Sequence, residues 1–216
     1  RMGAVVVVPL VPIRGVSMDD CVRLAREIGT EIAQRWKVPV YFYEESAASE
    51  ARRNLAEIRK GEFEGFARKM EGPDWKPDLG PAAPHPTAGV VAVGARAPLI
   101  AYNINLGTRD LAVADRIARS IRHIGGGFRY VKAMGVALAE RGCVQVSINM
   151  TNYTRTPLHR VFECVRSEAE RSGVAIIGSE IVGLAPADAL FAAAEHYLRL
   201  ENFSSDQVLE MRLLEE

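Results

Sequence analysis

The chain has 216 residues, of which 48 % are hydrophobic, 25 % charged and 7 % aromatic. This is the make-up of a globular protein of one or two domains, long enough to bury roughly 70 % of its unfolded surface without disulfides or metals. Lys plus Arg number 27 and so do Asp plus Glu, which excludes a broad electrostatic nucleic-acid binder and leaves room only for a local basic patch.

Residues 4–13 (AVVVVPLVPI) are apolar and Val-rich, as a buried strand requires, and too short to span a bilayer. Pro9 and Pro12 push the far end of that strand to a sheet edge or a bend. No basic segment followed by an apolar one opens the chain, so no signal peptide is expected. Cys21, Cys143 and Cys164 are odd in number and lack C-x-x-C spacing, which reads as reduced thiols in the cytoplasm and not as a disulfide frame or zinc site. Ser17 and Asp20 have capping-box spacing, and a helix follows with Cys21, Leu24, Ala25, Ile28 and Ile32 as its expected buried stripe. Residues 38–43 (VPVYFY) read as the next strand, so the unit is strand-helix-strand with a parallel or mixed sheet.

Residues 44–75 are charge-rich, with Leu55, Ile58, Phe63 and Phe66 placed to anchor two short helices. Pro77, Pro81, Pro84 and Pro86 then exclude helix and sheet interior, which predicts an extended, stiff loop. Residues 89–93 read as a strand, and the break at 94–98 is the expected domain boundary. Beyond it, residues 99–106 (LIAYNINL) form a strand. Thr108 is the expected cap of a helix lined by Leu111, Ala114, Ile117, Ala118 and Ile121. Residues 131–138 and 144–150 are two strands across a turn. Thr156 with Pro157 predicts the next helix start, and a final strand opens at Val174. An Ala-rich helix follows Pro186, and Ser204 with Gln207 predicts a last cap. The order is β-α-β-β-α-β, the ferredoxin-like arrangement with extra C-terminal helices, so the fold class is α/β (α+β) with two α/β subdomains.

Chemistry-bearing patterns are sparse. No G-x-G-x-x-G, P-loop or nucleophile elbow occurs, and no carboxylates or histidines cluster at metal-ligand spacing. His123, His159 and His196 read as structural residues on or beside helices. His85, flanked by Pro84 and Pro86, sits on a stiff loop, where functional groups concentrate. Asn103 and Asn105 share one strand face, as do Ser147 and Asn149, although Asn is depleted in strands. The plain reading is a solvated sheet face; the functional one is a hydrogen-bonding wall made of Asn103, Asn105 and Asn149.

Several of these segments carry a resemblance. Arg1-Met2-Gly3-Ala4, Val11-Pro12-Ile13-Arg14-Gly15-Val16-Ser17, Val38-Pro39-Val40-Tyr41, Arg52-Arg53, Ile58-Arg59 and Gly61-Glu62 resemble the formiminotransferase domain of the glutamate formimidoyltransferase family. So do Asp74-Trp75-Lys76-Pro77-Asp78-Leu79-Gly80-Pro81, residues 99–106 and Val182-Gly183-Leu184. The resemblance covers nearly the whole chain in order. It implies that residues 1–97 are the second half of an N-terminal subdomain and residues 98–216 a C-terminal, ferredoxin-like one.

It also implies transfer of a formimino group from N-formimino-L-glutamate to N5 of tetrahydrofolate in histidine degradation, with tetrahydrofolate as a substrate and no metal. The family's folate loop aligns with Gly80-Pro81-Ala82-Ala83-Pro84-His85-Pro86-Thr87-Ala88-Gly89, though His85 stands where the family varies. The family's catalytic histidine lies in a His-Pro-Arg-Met-Gly stretch, which places it two residues before Arg1, outside the sequence, so the 216 residues alone are expected to be inactive. A homodimer, and a cyclodeaminase either fused or separate, are implied as partners, without nucleic acid or membrane. Two other readings stay open: a folate-dependent formyltransferase acting on glutamate, and a truncated, non-enzymatic folate-binding or interaction homologue.

Overall fold

The computed structural model describes residues 1–213. The chain divides into two compact units, Arg1–Ala97 and Pro98 onward. In the first unit β1 (Val7–Leu10), β2 (Val40–Phe42) and β3 (Val91–Ala95) form a parallel sheet in the order β1-β3-β2. β1 is shorter than the apolar run that predicts it. Pro9 lies within it and pairs with Gly94, which is tolerated because β1 is an edge strand. Gly94 therefore belongs to β3 and not to the break expected at 94–98.

α1 (Met18–Trp36) starts in a complete capping box: the Ser17 hydroxyl accepts from the Asp20 amide at 3.1 Å, and the Asp20 carboxylate accepts from the Ser17 amide at 3.1 Å. The Ser17 hydroxyl also donates to the Asp20 carboxylate at 2.6 Å, and this bond, followed by those from the Ser17 amide and Arg23, holds the Asp20 pKa below the usual carboxylate value. The buried line of α1 is Cys21, Ala25, Gly29 and Ala33, while Leu24 is half exposed. The expected stripe is thus displaced toward small residues, because the helix lies close on the sheet. A Cβ on Gly29 would come within 2.8 Å of the Phe42 ring. Gly29→Ala sets a helix-propensity gain of about 1 kcal/mol against an overpacking cost of about 1–3 kcal/mol. The expected outcome is a lower urea midpoint, and a raised one would show that Phe42 can move aside.

The opposite sheet face is covered by three short helices, not two: α2 (Glu50–Arg53), α3 (Leu55–Arg59) and α4 (Glu62–Met70). Ile58, Phe66 and Met70 are buried against Tyr41 and Ala92. The Lys69 amine lies 3.8 Å from the centre of the Trp75 ring and donates to the carbonyls of Glu57, Ile58 and Lys60, closing the end of α3. Burial pulls its pKa down to about 8.

The second unit contains β4 (Ile100–Leu106), α5 (Leu111–Ile121), β5 (Val131–Leu138), β6 (Cys143–Met150), α6 (Leu158–Arg171), β7 (Ile176–Val182), α7 (Ala187–Leu198) and α8 (Leu209–Leu213). Its sheet is antiparallel throughout, in the order β5-β6-β4-β7. With the βαββαβ chain order, this is the ferredoxin-like arrangement. Two helix starts differ from expectation by a residue or two. Asp110, not Thr108, accepts from the Ala112 amide at 2.9 Å and caps α5, while the Thr108 hydroxyl accepts from the Asp110 amide. Pro157 is itself the cap position of α6, and Thr156 before it is buried.

One sheet face is the core: Ile100, Ile104, Val146 and Ile148 pack under Val113, Ile117, Val161 and Val165 of α5 and α6. Alternation puts Asn103, Asn105, Gln145, Ser147, Asn149 and Glu180 on the other face.

Candidate functional site

Two features carry polar chemistry, one in each unit. In the first unit the segment 80–89 is irregular over 80–84, as its prolines predict, and then closes at 85–89 into a braced turn. His85 and Gly89 exchange both backbone hydrogen bonds at 2.9 Å, with Pro86, Thr87 and Ala88 at the tip. The His85 Nδ1 accepts from the Ala88 amide at 3.1 Å and from the Thr87 amide at 3.3 Å. That nitrogen is committed to the turn, which leaves Nε2 as the imidazole atom able to meet a ligand. Gly80 and Gly89 both have positive φ, +89° and +69°. They set the two ends of the segment in a conformation that side chains disfavour.

The entry to the turn is fixed by a buried pair. Arg52 Nη1 lies 2.5 Å from Asp78 Oδ1, with the two side chains only 10 % and 11 % exposed. Arg52 also donates to the carbonyls of Asp74, at 3.1 and 2.8 Å, and Lys76, at 2.7 Å. The second Asp78 oxygen accepts from the Phe42 amide at 2.8 Å, and the Tyr41 hydroxyl donates to the Trp75 carbonyl at 2.6 Å. Burial pushes the Tyr41 hydroxyl far above its usual pKa, so it stays a donor. A cavity of about 330 Å³ lies beside Gly80 and Pro81, walled by Thr30, Ala33, Gln34, Lys37 and Leu79.

In the second unit the polar face is a connected network. Gln145 Nε2 donates to Asn105 Oδ1 at 2.8 Å and to Glu180 Oε1 at 2.9 Å. Asn103 Nδ2 donates to the same Glu180 oxygen at 3.2 Å, and the Asn103 side-chain carbonyl accepts from the Ile148 amide at 3.3 Å. Asn105 and Gln145 are buried, at 3 % and 5 % exposed. The face is therefore not merely a solvated one, since two buried amides cost stability unless they are paired as they are here. Asn149 shares the face, opposite Ala101 and Lys132, but stands outside this network.

Residues 1–96 match the family model described as formiminotransferase domain, N-terminal subdomain, and residues 101–213 match that of the formiminotransferase domain. The chain belongs to the formiminotransferase family. It is 48 % identical over 215 residues to glutamate formimidoyltransferase of Streptococcus pyogenes serotype M1, covering 99 % of this chain and 72 % of that protein. It is 42 % identical to glutamate formimidoyltransferase of Thermoplasma acidophilum, covering 99 % and 71 %. It is 44 % identical to formimidoyltransferase-cyclodeaminase of Gallus gallus over 93 % of this chain and 38 % of that protein. The resemblance read from the motifs is thereby confirmed.

Within this formiminotransferase chain, the sequence reading missed three participants. Gln145 continues the alternation of Ser147 and Asn149 and was legible on that ground. Glu180 lies on β7, whose polar face has no simple alternation. Arg52 sits in a charge-rich stretch, and its partner is 26 residues away. Among the described residues no three His, Cys, Asp or Glu side chains gather as a metal site, and no helix is long and apolar enough to cross a membrane.

His159 and His196 are brought together despite their separation in sequence, with rings stacked at 4.2 Å between α6 and α7. Burial lowers the His159 pKa from 6.5, helped by His196 and Arg160 and opposed by Glu163 and the Ala192 carbonyl. A histidine with a depressed folded pKa binds its proton less readily in the folded chain than in the unfolded one. Its contribution to stability is complete above pH 6.5 and declines as the pH falls from there toward the lowered folded value. Urea midpoints measured between about pH 8 and pH 5 should fall on that limb. His159→Phe should flatten the fall, and parallel curves for the two proteins would refute this assignment.

Proposed function

We propose that the protein transfers the formimino group of N-formimino-L-glutamate to N5 of tetrahydrofolate, in the degradation of histidine. The observation that carries this is identity of 48 % and 42 %, over 99 % of the chain, to two proteins named glutamate formimidoyltransferase. Tetrahydrofolate enters as a substrate, and the segment 80–89, closed by its braced turn, is assigned to it. The turn's backbone groups are tied within it, which holds His85 in a fixed geometry with Nε2 left to meet the donor-and-acceptor edge of a pterin.

The reaction needs an amidinium carbon as electrophile. N5 attacks it, the N5 proton leaves to a base, and the glutamate nitrogen takes a proton as its bond to that carbon breaks. One group with a pKa near the working pH serves both transfers. We further assign the protein to the cytoplasm, as a homodimer that hands its product to a cyclodeaminase. Formimidoyltransferase-cyclodeaminases such as that of Gallus gallus carry both names in one chain.

The test is turnover of formiminoglutamate with tetrahydrofolate by the protein that contains this chain, with N-formyl-L-glutamate run in parallel. Formimino transfer alone supports the reading. Preference for the formyl donor would establish the formyltransferase reading instead, and folate binding without turnover the binding-protein one.

A further inference from the structure

We propose that Glu180 is the residue that holds the protonated formimino group and so selects a formimino donor over a formyl one. This rests on the formimino-transfer reading above and assigns one of its two substrates to the polar face of the second unit.

The carboxylate is aimed. Its Oε1 accepts from Gln145 at 2.9 Å and from Asn103 at 3.2 Å, donors on two different strands. Neither donor is free to swing. The Gln145 amide also donates to Asn105 and is 5 % exposed, and the Asn103 side-chain carbonyl is tied to the Ile148 amide. Both donors are neutral, so nothing in the network cancels the carboxylate's charge. Among the described residues no cation pairs with Glu180, and its Oε2 has no hydrogen-bond partner. The side chain is exposed on its strand. A fixed carboxylate with one oxygen free is a receptor for a cation that carries N–H donors.

The N-formimino group is such a cation. It is an amidine, and once protonated it presents N–H groups in one plane, as a guanidinium does. A formyl group at the same place is a neutral amide whose carbonyl oxygen would face the carboxylate and be repelled. The same contact favours the charged donor, which is the state whose carbon is electrophilic. Glu180 would thus bind the donor and keep it in its reactive form.

The experiment is Glu180→Gln in the whole protein, with KM measured for each substrate and N-formyl-L-glutamate tested as an inhibitor. A charge-assisted hydrogen bond predicts a rise of about 10- to 100-fold in KM for formiminoglutamate. KM for tetrahydrofolate should stay within about twofold, and the preference for the formimino over the formyl compound should collapse. An unchanged thermal midpoint shows that the variant is folded, as expected at an exposed position. A rise in KM for tetrahydrofolate alone would mean that the carboxylate reads the N–H edge of the pterin, and the proposal fails. It also fails if neither constant moves. If the unaltered protein turns over no formiminoglutamate, the transfer reading itself falls, an outcome distinct from both.

Discussion

Arg52→Ala is expected to lower the stability of the first unit by about 3–5 kcal/mol, the range for removing one partner of a buried ion pair. Three losses combine. Asp78 keeps a charge that is only 11 % exposed, with the Phe42 amide at 2.8 Å as its remaining partner. The carbonyls of Asp74 and Lys76 lose their donors. The guanidinium also leaves its place over the Tyr41 ring, 5.5 Å away. Against a typical domain stability of about 5–15 kcal/mol this is a large fraction. Replacing the charges together, as Arg52→Met with Asp78→Asn, should recover part of the loss, since no isolated charge stays behind. Recovery should be incomplete, because Met donates nothing to the carbonyls. Denaturant titrations of the three proteins decide this, and a double variant no more stable than Arg52→Ala would show that the lost carbonyl contacts dominate over the stranded charge. The same residues fix the entry to the segment 80–89, so Arg52→Ala should also raise KM for tetrahydrofolate. The conservative change Arg52→Lys should restore little, since an ammonium cannot reach Asp78 and two carbonyls in the guanidinium's fork geometry.

How far the sequence shows its own fold depends on whether the cause is local. The capping box of α1 is written in Ser17 and Asp20, and the second unit's βαββαβ order follows from alternating and helical periods that each element carries within itself. Features that depend on distant chain were harder to see. Leu24 has helical spacing with Cys21 and Ile28, yet the sheet selects the small residues at 21, 25, 29 and 33 because only they permit close approach. The proline-rich segment reads as stiff, but nothing local says that His85 and Gly89 bond to one another. Asn103 and Asn105 mark a polar face by alternation. That Asn105 is buried follows only from Gln145 and its neighbours, 40 residues away. Arg52 looks like any charge on a solvated helix until Asp78 is folded against it. The candidate site was therefore half legible: its face and its loop could be found, but the residues that aim and brace them could not.

Gly89→Ala is the second substitution with a large expected cost, and it separates two effects that are often merged. At φ +69° an alanine carries a left-handed penalty of about 1–2 kcal/mol. Its Cβ would also lie 2.4 Å from the Met2 carbonyl oxygen and 2.7 Å from the Gly3 Cα. Those atoms are backbone and cannot step aside, because the Met2 carbonyl accepts from the Val90 amide at 3.1 Å and Gly3 is bridged to Gly89. Overpacking adds about 1–3 kcal/mol, for a total of about 2–5 kcal/mol. Gly15 is the control. It has nearly the same φ, +66°, and nothing within 4 Å of the place its added methyl would take, so Gly15→Ala should show the conformational penalty alone. The difference between the two variants in a denaturant titration then measures the close approach of the chain at Gly89. Equal losses would mean that backbone conformation is the whole effect. A larger loss at Gly89, with weaker binding of tetrahydrofolate, would tie the packing of the turn against Met2 and Gly3 to the function proposed for it. His85 reports on the same turn independently, because its Nδ1 holds the Thr87 and Ala88 amides from the inside. If Gly89→Ala spreads the turn, those two amides should exchange with solvent faster, whereas in Gly15→Ala their protection should stay as it was.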